Sequence, residues 1–230
     1  MVSRFVVAGL AFMVSTAGAF AADLPAKAPT APVAPGYDWT GFYLLAGGGF
    51  QAGTVTGPGT AGFNVTTSVA YVDIGAGYRK ELPFGLVLGL DVSAPVWVAK
   101  STFTTPVAFG FAPISSGKVN FLLLPEAQVG YAIDRWLPYV GIGVGVADVK
   151  ATNTPAAGVT VSNTQASPVL VATFGVDYAL TNNWIIGLRY DHLEGAQHNY
   201  IFNIPGAALP TIIQVGAVTD GVSGVLKYKF

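Results

Sequence analysis

At 230 residues the chain can form one large β domain or two small ones. It is 52% hydrophobic but 10% charged, against about 25% charged in ordinary soluble domains. A formal charge of −1 and no cysteine exclude a basic nucleic-acid surface, disulfides and thiolate metal sites.

Residues 1–21 read as a secretory signal. Arg4 supplies the positive end, Phe5 to Phe20 is mostly apolar, and Ala19-Phe20-Ala21 fits the A-x-A cleavage pattern. The mature chain is therefore expected to begin at Ala22. Residues 22–36 form a Pro/Ala-rich periplasmic lead, whose prolines prevent helix and ladder alike. It either hangs free or plugs the structure that follows. The remaining residues, 37–230, read as one barrel domain.

Beyond this point the apolar residues recur with a period of two, the mark of a pleated strand. The first strand, about Phe42–Gly53, sets Phe42, Leu44, Ala46 and Phe50 against Tyr43, Leu45, Gly47 and Gln51. Residues 54–68 read as a Gly/Thr-rich loop. The second strand, Val69–Arg79, puts Val72, Ile74, Ala76 and Tyr78 opposite Asp73, Gly75, Gly77 and Arg79. After a tight turn at Lys80–Phe84, the third places Leu86, Leu88, Leu90 and Val92 opposite Val87, Gly89, Asp91 and Ser93. Residues 97–117 read as a second long loop.

The fourth strand, Lys118–Tyr131, sets Phe121, Leu123, Ala127 and Val129 against Glu126 and Gln128. Leu122 and Leu124 interrupt its polar face, and Pro125 suggests a bulge. A short turn leads to the fifth strand, Pro138–Val146, whose valines and isoleucine alternate with Gly141, Gly143 and Gly145. A third loop, 149–166, precedes the sixth strand, which opposes Leu170, Phe174 and Tyr178 to Thr173 and Asp177. The seventh, after a turn at Leu180–Asn183, opposes Trp184, Ile186, Leu188 and Tyr190 to Arg189 and Asp191. A fourth loop, 194–219, leads to the closing strand, Gly221–Phe230. There Val222, Leu226, Tyr228 and Phe230 oppose Ser223, Lys227 and Lys229.

Eight strands joined alternately by long and short connections predict an all-β fold, an eight-stranded antiparallel transmembrane β-barrel. Each strand has about ten residues, enough to cross a bilayer when tilted. The charged strand residues fix which face meets lipid. Asp73, Arg79, Asp91, Glu126, Asp177, Arg189, Asp191, Lys227 and Lys229 all oppose the apolar stripes. They are expected to form a polar network inside the barrel, since Arg or Lys facing lipid at the midplane would cost about 2–4 kcal/mol. Tyr43, Tyr78, Phe84, Tyr131, Trp136, Tyr139, Tyr178, Trp184, Tyr228 and Phe230 gather beside the short turns, as an interfacial girdle would. The short turns and both termini are therefore placed in the periplasm, and the long loops outside.

The signal peptide, the DLPAKAP segment, the YDWTGFY opening and the terminal Lys-Tyr-Lys-Phe resemble small outer-membrane β-barrel proteins of alphaproteobacterial type, within the OmpA-like and opacity-porin superfamily. The resemblance implies residence in the outer membrane, contact with its lipid and lipopolysaccharide, and insertion by the outer-membrane assembly machinery. Gly221, Leu226, Tyr228 and Phe230 in the last strand are similar to the signal that machinery reads. No peptidoglycan-binding domain is expected after the barrel.

The function expected first is structural, supporting the envelope and presenting loops. A narrow pore is the alternative suggested by the inward glycines, and adhesion through loop residues such as Phe103, Phe109, Phe111, Tyr200, Ile201 and Phe202 is another. The more ordinary reading of those residues is that they extend the barrel wall above the membrane as longer strands. Catalysis on lipid is not expected, because His192 shares parity with Tyr190 and points away from Asp191. No cofactor, metal or nucleic acid is implied, and oligomeric state is left open.

Overall fold

The computed structural model describes residues 36–56, 64–97, 114–153, 160–203 and 211–230. The expected signal peptide, nearly all of the lead, and loop residues Phe103, Phe109 and Phe111 lie outside the described residues. Eight antiparallel strands follow one another around a closed barrel. They are β1 (Gly41–Thr56), β2 (Asn64–Glu81), β3 (Leu86–Trp97), β4 (Ile114–Tyr131), β5 (Trp136–Asn153), β6 (Val161–Ala179), β7 (Trp184–Phe202) and β8 (Thr211–Lys229). β8 closes on β1, with Tyr43 opposite Lys229.

Strand pairing fixes the barrel's dimensions. Paired residues lead from Phe42 through Tyr78, Leu90, Ala127, Ile142, Ala172, His192 and Asp220 to Ala52, ten residues further along β1. A stagger of ten over eight strands inclines each strand by about 40–45° to the axis and leaves an interior only wide enough for side chains.

The strands are longer than the sequence periodicity suggests. β7 and β8 have 19 residues each and take up most of the expected loop 194–219. β5 and β6 likewise extend into 149–166, and β1 and β2 into 54–68. The extensions are rich in Thr, Asn, Ser and Ala, so they carry little alternation even though the ladder continues through them. The segment around Tyr200 extends the barrel wall as a longer strand, with Tyr200 buried in β7 and Ile201 facing outward. No bulge forms at Pro125. β3 and β4 stay in register across it, and the irregularities of β4 lie further up, between Ile114 and Ser116 and between Val119 and Phe121.

The outer face is apolar. Leu90 is 67% exposed and Ile142 62%, with Leu88, Leu188 and Leu226 also open. Aromatic pairs band its short-turn end: Phe42–Tyr78 (4.7 Å between ring centroids), Trp136–Tyr178 (4.6 Å) and Trp184–Tyr228 (5.0 Å). Phe84, at a turn tip with φ 69°, is almost fully exposed at the same end. Tyr43 and Tyr139 do not join this girdle. Their parity is that of the inward residues, and both rings lie buried in the lumen. Parity, and not closeness to a short turn, decides their place.

Candidate functional site: the barrel lumen

All nine charged strand residues singled out above are turned inward, none more than 9% exposed. Six of them form two ion-paired groups that span the lumen. Nearer the short turns, Asp177 of β6 receives Arg79 Nη1 from β2 and Lys227 Nζ from β8, each at 2.6 Å on Oδ2. Arg79 Nη2 also donates to Gln128 Oε1 (3.1 Å). Tyr43 and Tyr139 flank these cations, with Arg79 5.1 and 5.0 Å and Lys227 5.4 and 5.0 Å from the two ring centroids. Cation–π contact of this kind is strongest where water is excluded.

Further up, Arg189 of β7 bridges two acids. Its Nη2 meets Asp73 Oδ2 at 2.6 Å and its Nε meets Asp191 Oδ2 at 2.9 Å. The Thr173 hydroxyl donates to Asp191 Oδ1 (2.9 Å), and the Tyr43 hydroxyl to Asp91 Oδ2 (2.8 Å). Glu126 of β4 stands directly opposite Asp91 of β3, outside both ion-paired groups. Lys229 is also separate. Its ammonium donates to the Asp38 backbone carbonyl and lies 4.5 Å from the Tyr37 ring.

Apolar layers close this polar region at both ends. At the short-turn end Tyr37 and Trp39, which precede β1, fold into the mouth and pack with Val87, Leu137, Ala179 and Ile185. The two rings meet edge to face at 4.7 Å. The Trp39 amide donates to Glu81 Oε2 (3.0 Å), and the Tyr37 hydroxyl to the Asn182 carbonyl (3.2 Å). Burial pushes the Tyr37 hydroxyl up to about 12, although the charge of Arg79 opposes it. Above the ionic groups, Leu122 and Leu124 pack with Ala147, Val169, Val171 and Leu193. What interrupts the polar face of β4 is therefore a second stopper.

At two inward glycines the space is taken by an aromatic ring. A Cβ on Gly175 would stand 2.3 Å from the Tyr139 ring, and one on Gly77 2.4 Å from the Tyr43 ring. Each glycine is the seat of the tyrosine on the neighbouring strand. The missing side chain is filled by its neighbour, as close packing requires.

The residues picked as an assembly signal are split between faces. Gly221 lies on the inward side, while Leu226, Tyr228 and Phe230 face outward. Phe230 meets Tyr228 edge to face (5.2 Å between centroids), and its amide donates to the Phe42 carbonyl (3.0 Å). His192 also faces outward, bonded through Nδ1 to Asp220 Oδ1 (2.8 Å), which accepts the Tyr190 hydroxyl as well (2.5 Å). The plug formed by Tyr37 and Trp39 had no signal in the alternation, because both residues precede the first strand.

The protein family described as outer membrane protein beta-barrel domain matches residues 8–217. No curated protein matches the chain. Among solved structures, the outer membrane protein OprG from Pseudomonas aeruginosa is similar at 14% identity, with a TM-score of 0.54 over 85% of this chain and 98% of that one. Neisserial surface protein A is similar at 18% identity, with a TM-score of 0.47 over 83% of this chain and 98% of that one.

Proposed function

Because this chain belongs to the family of outer membrane protein β-barrel domains and resides in the outer membrane, we propose that it is a structural, non-conducting barrel. It supports the envelope and presents its long connections at the cell surface. The observation that carries this reading is the filled lumen. Two apolar layers, around Trp39 and around Leu122, enclose an ion-paired middle. A closed barrel satisfies its backbone internally and needs no water within the bilayer.

Conductance tests the reading. The purified barrel in a planar bilayer gives flat current traces at all voltages that the bilayer withstands. Stepwise openings of uniform size would assign it instead to the narrow pores.

The reading includes finer points. Export follows cleavage after Ala21, and the short turns face the periplasm, where the Phe42, Trp136 and Trp184 pairs sit at the inner interface. The DWTGFY opening and the terminal Lys-Tyr-Lys-Phe support reading the chain as one of the OmpA-like and opacity-type barrels of alphaproteobacteria. The assembly machinery reads Gly221, Leu226, Tyr228 and Phe230, and lipid and lipopolysaccharide cover the apolar wall. No catalysis is assigned. Engagement of His192 by the Asp220 carboxylate on the outer wall supports an interfacial role for it.

A further inference from the structure

The ion-paired groups of the lumen balance one another. Asp177 serves two cations, Arg79 and Lys227, and Arg189 serves two anions, Asp73 and Asp191. Three positive charges meet three negative ones. Lys229 is held apart at the mouth by the Asp38 carbonyl. Two buried acids, Asp91 and Glu126, are left over, and they are direct cross-strand neighbours.

They are 2% and 3% exposed. Asp91 Oδ2 accepts the Tyr43 hydroxyl. Asp91 Oδ1 and both Glu126 oxygens lack a close hydrogen bond among the described protein groups; the Thr173 hydroxyl and Arg189 lie near Glu126, but both are bonded to Asp191. Ser93 Oγ, two residues along β3, likewise lacks a close hydrogen bond. Inward residues opposite each other in a ladder have Cβ atoms about 4.5–5.5 Å apart. Two ionised carboxylates carried on such neighbouring stems repel each other, and each also bears the penalty of leaving water. The buried charged and titratable groups around the pair include Tyr43 (β1), Tyr71, Asp73 and Arg79 (β2), Tyr139 (β5), Asp177 (β6), Arg189 and Asp191 (β7) and Lys227 (β8). All three cations among them already bond other acids. No three His, Cys, Asp or Glu side chains among the described residues are placed to hold a metal ion.

We infer that the Asp91–Glu126 pair is a proton-binding site that keeps one proton at neutral pH. Glu126 is the neutral acid, and Asp91 holds the remaining charge against the Tyr43 hydroxyl. One surplus negative charge then stays in the lumen instead of two.

The inference carries a linkage with a definite sign. Unfolding releases the proton, because an exposed Glu is ionised above about pH 4.3. The native state then binds one proton more than the unfolded state. This contribution to stability is complete below the ordinary carboxyl range and is lost as pH rises. In the window where the proton is kept, the folding equilibrium constant falls about tenfold per pH unit from this pair.

The test uses the mature barrel refolded into lipid vesicles. At pH 7 its infrared spectrum contains the carbonyl stretch of a protonated carboxylic acid, and Glu126→Gln removes that band. In equilibrium unfolding between pH 5 and 8, Glu126→Gln abolishes the tenfold-per-unit fall. The wild-type spectrum keeps the test decisive even if the variant refolds poorly. A wild-type spectrum without the acid band, or a Glu126→Gln spectrum that retains it, overturns the proposal. So does an unchanged slope. Loss of wild-type stability on chelation, absent in Glu126→Gln, overturns it in favour of a bound cation.

Discussion

Asp177→Asn lowers the stability of the barrel by about 3–5 kcal/mol, the range for removing one partner of a buried ion pair. Asp177 is fully buried and is the anion for both Arg79 and Lys227. An amide of the same shape leaves two desolvated cations facing each other with no countercharge. The midpoint of equilibrium unfolding in vesicles measures the effect. Lys227→Met is the matched control. It leaves the Arg79–Asp177 contact in place and fills the lysine stem's volume, so its cost is well below that of Asp177→Asn. A loss under about 1 kcal/mol for Asp177→Asn, the range of solvent-exposed pairs, would mean that water reaches the network.

The second large effect lies outside the strands. Trp39→Ala costs about 3–5 kcal/mol, as expected for truncating a buried Trp that neighbouring groups cannot replace. Trp39 is 1% exposed, sits edge-on to Tyr37 and lies 5.9 Å from the Arg79 guanidinium. Its removal opens the short-turn mouth beneath the Arg79–Asp177–Lys227 group. The unfolding midpoint again reports the loss. Trp136→Ala, at a site 52% exposed on the outer face, is the comparison and costs less. Equal losses would show that Trp39 serves as an interfacial aromatic and not as a plug.

The parts of this structure legible in the sequence are those governed by parity. Alternation through Val72–Tyr78, Leu86–Val92 and Trp184–Tyr190 defines strands, their outer face and the inward set of charges. The short turns after Glu81, Tyr131 and Ala179 fall close to where the periodicity breaks. Alternation is obscured where polar residues stand on the outer face as well. That is why the outer halves of β7 and β8, where Asn199 pairs with Gln214 beside the buried Tyr200, read as loop.

Parity also carries no information about partners across the lumen. Arg79 and Asp177 are 98 residues apart, and Arg189 and Asp73 are 116. The ten-residue stagger brings them together, and that stagger arises from all eight pairings at once. Hence the inward acids and bases are visible as a set, while their division into two ion-paired groups that balance one another and a leftover Asp91–Glu126 pair is not. Tyr43 and Tyr139 show the reverse error, where a rule about turns displaced the parity that places them inside.

Lysine reactivity in the folded barrel tests the sealed lumen most directly. Vesicle-embedded protein is treated with a bulky water-soluble amine reagent and the modified sites are mapped by mass spectrometry. Lys80, Lys118 and Lys150, all exposed, react readily, while Lys227, at 1% exposure, stays unmodified until the protein is unfolded. Modification of Lys227 in the folded barrel at the rate of Lys118 would contradict the account, since it would place the ionic network in open water.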